Sequence, residues 1–156
     1  MTDTAQTTQV YQVLIKATPQ QIWDAITKPE FTVRYFHGAR VDTTGERGTP
    51  FRYLGPNGEV WGDEMILESE PPHKLVVPWR SLYNEDMAKE PRSRVTWLIE
   101  EQDNGVCLLT ATHDQLESSP LTAQSVSGIG WLTVVDGLKT LLETGEPLFP
   151  LETAAA

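Results

Sequence analysis

Cysteine is nearly absent. The 156-residue chain has one, Cys107, which excludes an internal disulfide and any zinc site built from several thiolates. Basic residues are scarce too: 12 Lys+Arg stand against 22 Asp+Glu, for a net charge of −10. The imbalance runs along the whole chain, with 7 basic to 10 acidic residues before Pro78 and 5 to 12 after it. A phosphate backbone or an anionic membrane surface would repel such a protein, so neither nucleic acid nor membrane is expected as a partner. No apolar run approaches the roughly 20 residues that span a bilayer. The opening residues, MTDTAQTTQ, lack the basic and apolar regions of a signal peptide. The expectation is a single domain in a reducing, cytoplasmic setting. His37, His73 and His113 show no metal-ligand spacing. No glycine-rich phosphate loop or GxSxG elbow occurs. No metal and no cofactor is expected.

What is present is strong periodicity. Residues 9–16, QVYQVLIK, alternate as a strand does. Thr18-Pro19-Gln20-Gln21 then reads as a helix start, with Thr18 as cap and Gln21 reaching back. The helix through Ile22, Trp23 and Ile26 must stop near Lys28, because the residue before Pro29 disfavours helical geometry. A second short helix, PEFTVRYF, closes at His37-Gly38. Residues 38–43, 49–55, 59–69, 73–80, 93–101 and 105–114 then carry strand-like alternation between turn signals. The polar stretch 81–92 reads as a loop. From 120 to 144 the period is helical, with Trp131, Val134, Val135, Leu138, Leu141 and Leu142 on one stripe and Gly145 as the stop. Gln124 and Ser127 fall on the same stripe, as expected where a helix passes the mouth of a cavity. The pattern predicts an α+β domain over 9–146: a curved antiparallel sheet of about six to seven strands around a long C-terminal helix. Residues 1–8 and 147–156 read as flexible tails.

The motifs IKATPQQIWDAITKPE (15–30), ILESEPP (66–72) followed by Leu75-Val76 and Trp79, SRVTWLIE (93–100), LTATHDQL (109–116) and GWLTVVDGLKTLLETG (130–145) occur in that order. Together they resemble the AHSA1-like family, named for the activator of Hsp90 ATPase, within the START-like or SRPBCC superfamily. The resemblance implies a helix-grip fold of the stand-alone, single-domain type, with space between sheet and helix.

Inward faces carry aromatic residues. Val95, Trp97 and Ile99 share one side of a strand, as do Cys107, Leu109, Ala111 and His113, and as do Leu75, Val77 and Trp79. The expected site is an apolar ligand cavity lined by Trp79, Trp97, Leu109, His113, Trp131, Val135 and Leu138, with Phe36 near the mouth. His37 is expected to close the second helix or to gate that mouth. Cys107 reads as a buried, inert thiol. Glu64 and Glu68 share one face of the 59–69 strand. That face either looks into the cavity, where a carboxylate could act as a base or bind a cation, or forms the solvent side of a half-buried strand, as the opposite apolar face of Trp61, Met65 and Leu67 favours. No catalytic residue is assigned. The function expected is binding of a small hydrophobic molecule. The alternatives are a chaperone-associated interaction module with an Hsp90-type partner, and a cyclase- or hydrolase-like enzyme using a polar group in the cavity. An apolar sheet edge would also allow a homodimer.

Overall fold

The computed structural model describes residues 7–149. Most of both expected tails lies outside that range. Of the first tail, Thr7 is described, and its carbonyl accepts the Leu116 N–H at 3.3 Å.

The chain opens with β1 (Gln9–Ile15) and two short helices, α1 (Pro19–Thr27) and α2 (Pro29–Tyr35). The capping box forms as the sequence predicts: Gln21 N–H donates to Thr18 Oγ1 at 3.1 Å, and Thr18 N–H donates to Gln21 Oε1 at 2.9 Å. Lys28, in extended geometry, ends α1 and precedes Pro29 at the start of α2. The Tyr35 hydroxyl ties the two helices by donating to the Ala25 carbonyl at 2.8 Å.

Among the described residues, eight strands follow the helix-grip plan in two antiparallel sheets. The larger has the order β1-β8-β7-β6-β5, and includes β5 (Glu68–Glu70), β6 (Lys74–Trp79), β7 (Ser93–Glu101) and β8 (Cys107–Asp114). The smaller is β2 (Arg40–Thr43), β3 (Pro50–Leu54) and β4 (Val60–Met65). The strand count exceeds the expected six to seven because the 59–69 run changes sheets. Ile66 N–H donates to Thr49 O in the small sheet at 3.0 Å, and Leu67 N–H donates to Val76 O in the large one at 2.9 Å. One run of alternating residues therefore serves two partners, and the two sheets meet along it.

The predicted loop 81–92 contains one turn of helix, α3 (Glu85–Ala88), capped by the Asn84 side chain. The predicted C-terminal helix is two: α4 (Pro120–Val126) and α5 (Ile129–Thr144). The break is at Gly128, whose φ of 59° lies in the left-handed region that glycine tolerates. Its N–H donates to the Tyr11 hydroxyl of β1 at 2.8 Å instead of continuing a helix. The phase of the predicted stripe therefore holds only from Ile129 onward, where Trp131, Val134, Val135, Leu138 and Leu141 are all buried. Gln124 is exposed, and Ser125 and Val126 take the place expected of it.

The core lies between α5, α1 and the inner face of the large sheet. Gly137 lets α5 approach α2: an added Cβ would lie 3.3 Å from Tyr35 Cβ. No helix of the described residues is long and apolar enough to cross a membrane.

Candidate functional site

A cavity of about 360 Å³ opens between the small sheet, β6 and the α4–α5 junction. Strand β3 supplies Phe51 and Tyr53, and β4 supplies Trp61, Gly62 and Glu64. Val77, Pro78 and Trp79 come from β6, with Arg80 and Tyr83 from the segment after it. Phe36 and His37 close the end of α2, and Ser125, Val126, Gly130, Trp131 and Val134 face them from α4 and α5.

The aromatic wall is continuous. Phe36 stacks on Tyr53 with centroids 4.3 Å apart and planes 10° apart. Trp79 leans on both, at 6.2 and 6.1 Å, and on Trp131 at 6.0 Å. Trp61 and Tyr83 meet edge to face at 5.9 Å. Such rings present flat, polarizable surfaces to a guest. Burial in this wall pushes the Tyr53 hydroxyl's pKa far above its ordinary value, so it stays a neutral phenol. Desolvation likewise lowers the pKa of His37, which favours its neutral ring.

Glu64 overturns its expected place. It is buried and lines the cavity, whereas Met65 and Leu67 are half exposed. The cause is a bulge. Leu54 pairs with Val60 and Tyr53 with Gly62, so Trp61 is the extra residue. The bulge puts Trp61 in the cavity wall together with Gly62 and Glu64. Glu64 Oε1 accepts from Arg92 Nε at 2.7 Å, while Oε2 is buried with no hydrogen-bond partner among the described residues. Arg80 Nε is in the same condition. Glu68 stays at the surface, bonded to Lys74 at 3.2 Å.

Residues 16–143 match the family described as Activator of Hsp90 ATPase homolog 1-like protein. The chain belongs to that family. No curated protein sequence matches it. Among solved structures, protein MLL2253 from Mesorhizobium loti is 25% identical, with a TM-score of 0.72 over 87% of this chain and 96% of that one. CalU16 from Micromonospora echinospora is 24% identical, with a TM-score of 0.69 over 90% and 76%. The Aha1 dimer from Colwellia psychrerythraea is 18% identical, with a TM-score of 0.66 over 90% and 98%. The last two likenesses speak to the fold alone.

Within this AHSA1-like domain, three of the eight expected lining residues, Phe36, Trp79 and Trp131, stand in the cavity wall. The other five lie outside the cavity lining. Trp97, Leu109, Val135 and Leu138 are at most 1% exposed and fill the core, with Trp97 edge-on behind Trp131 at 5.6 Å. Alternation placed them on the inward face correctly, but the inward face of the large sheet is covered by α5 and α1. His113 is also sealed in, at 0% exposure. Trp131 Nε1–H donates to its Nδ1 at 3.2 Å, and Ser93 Oγ lies 2.7 Å from its Nε2. With both nitrogens engaged, it holds Trp131 in place from behind the cavity wall. Burial pushes its pKa down to about 3, against a smaller opposing pull from Asp114.

Sequence reasoning missed Phe51, Tyr53, Arg80 and Tyr83, and left the orientation of Glu64 open. Phe51 and Tyr53 share a face of the alternating 49–55 run and could have been found from it. Glu64 could not, because its orientation depends on the bulge. Cys107 is buried, and burial, with Glu101 adding to it, raises its pKa, so the thiol form prevails. Among the described residues no group of His, Cys, Asp or Glu could hold a metal ion.

Proposed function

We propose that this AHSA1-like protein binds a small, largely apolar molecule in the cavity between its sheets and the α4–α5 junction, without chemistry of its own. The observation that carries the reading is the continuous wall of Phe36, Tyr53, Trp79 and Trp131 around about 360 Å³. Small-molecule sites span about 300–1,000 Å³ with apolar, aromatic linings and few polar groups. This cavity sits at the small end of that range and suits two or three fused rings. Its polar groups are few and sit beside the rings, as expected where they orient a guest. A cytoplasmic setting belongs to the same proposal, supported by the acidic surface and the single, buried cysteine.

A thermal-shift panel of neutral two- and three-ring aromatic compounds tests it. A compound at about 100 times its Kd stabilises the native state by about 2.7 kcal/mol. For a domain of this size that is a rise on the order of 5–10 °C. The rise should vanish in Trp79→Ala. No shift in the wild type across the panel would overturn the reading.

A further inference from the structure

Building on that binding reading, we propose that the guest is a neutral aromatic alcohol, whose hydroxyl is recognised by Glu64 and whose oxygen or a neighbouring acceptor is met by Arg80. Two side-chain polar atoms of the described residues are buried without a hydrogen-bond partner, Glu64 Oε2 and Arg80 Nε, and both residues line the same cavity. Leaving such atoms unpaired is costly, and native proteins rarely tolerate it without a functional reason. A shared location makes one guest the simplest answer to both.

The chemistry of the pair selects the class. An ionised carboxylate only accepts, so Oε2 calls for a donor. A guanidinium only donates, so Nε calls for an acceptor. A hydroxyl on an aromatic ring supplies both from one oxygen. Charge decides against a cationic amine. The carboxylate is already held by Arg92 at 2.7 Å, and Arg80 brings a second positive charge to the same wall. A further cation would meet two guanidiniums and one carboxylate. A carboxylate guest would face Glu64 itself. A neutral donor pays neither cost, and its ring fits the aromatic wall.

The test compares three probes of one shape, naphthalene, 2-naphthol and 2-naphthylmethylamine, by calorimetry on the full chain. The wild type should bind 2-naphthol about tenfold more tightly than naphthalene, as a hydrogen bond to a charged group gives, and the amine less tightly than 2-naphthol. Glu64→Met should bring 2-naphthol and naphthalene to within about twofold of each other. Arg92 is half exposed and keeps its charge in water when Glu64 is removed. Should Glu64→Met fail to fold, Arg80→Met provides the second variant, with a several-fold loss in the preference for 2-naphthol over naphthalene. Equal binding of naphthalene and 2-naphthol by the wild type would overturn this inference and leave the apolar-binding reading standing. So would a preference that survives in both variants. Tighter binding of the amine would overturn the neutral class. Failure of all three probes to bind would overturn both readings.

Discussion

Trp131 donates its indole N–H to Nδ1 of His113 at 3.2 Å, and this bond sets the tautomer of the histidine. Nδ1 must accept, so Nε2 carries the proton and donates to Ser93 Oγ at 2.7 Å. The Ser93 hydroxyl in turn reaches the Trp79 carbonyl at 3.4 Å. A buried chain of hydrogen bonds thus runs behind the cavity wall and joins the two tryptophans that line it. The wall is held from behind by polar contacts and presents rings in front.

The burial of His113 makes stability depend on pH. The His113 pKa lies near 3 in the native state, against 6.5 ordinarily. Between those values the unfolded chain binds a proton that the native protein does not. The stabilisation is complete above about pH 6.5 and is lost on acidification, by up to about 1.4 kcal/mol per pH unit. His113→Gln keeps a donor and an acceptor but does not titrate. Urea unfolding of both proteins from pH 7 to pH 4 should show the wild type's advantage shrinking. A constant gap would contradict the assignment.

Core and wall tryptophans should separate. Trp97→Ala empties a fully buried position and should cost about 3–5 kcal/mol. Trp79 is only partly buried, so Trp79→Ala should cost about half of that, yet abolish aromatic-probe binding. Melting curves paired with binding isotherms read both. Equal stability losses with binding retained in Trp79→Ala would remove Trp79 from the site.

Gly55 guards the bulge. A Cβ there would lie 2.5 Å from the Trp61 ring. Gly55→Ala should displace Trp61 and weaken probe binding several-fold while the protein still folds. An unchanged affinity would mean that Trp61 does not shape the site.

Glu90 substitutes for a missing cap. Ser119 makes no side-chain cap bond at α4, and Glu90 instead accepts from Leu121 N–H at 2.9 Å and Thr122 N–H at 2.8 Å. Partial burial opposes ionisation, but the bonds from Thr122 and Leu121 outweigh it and hold the carboxyl below its ordinary pKa. Glu90→Ala should cost about 0.5–2 kcal/mol, like loss of an N-cap. That stabilisation is present above the ordinary carboxylate pKa and is lost as pH falls through the lowered one. The variant's deficit in urea midpoint should therefore be evident at pH 7 and narrow in acid. A deficit independent of pH would point to packing and not to the cap.

The sequence alone determined the elements whose causes are local. The Thr18–Gln21 capping box depends on residues three apart, and the stop at Lys28 on the proline that follows it. Alternation along 93–101 and 105–114 assigned the inward faces because the period of a strand is fixed by its backbone. The α5 stripe from Trp131 to Leu141 follows in the same way from the helical period. Tertiary structure decided what depends on a partner across the fold. Trp97 and Trp131 both point inward, but only the elements packed over them make one core and the other wall. The chain switches sheets at Ile66–Leu67 because Thr49 and Val76 offer carbonyls on different sides. Gly128 breaks the predicted helix where the Tyr11 hydroxyl, distant in sequence, accepts its N–H. Glu64 faces the cavity because one unpaired residue, Trp61, shifts the register, and a one-residue shift turns every following side chain to the other face. Periodicity specifies faces relative to one another. Only packing specifies which face meets solvent, core or cavity.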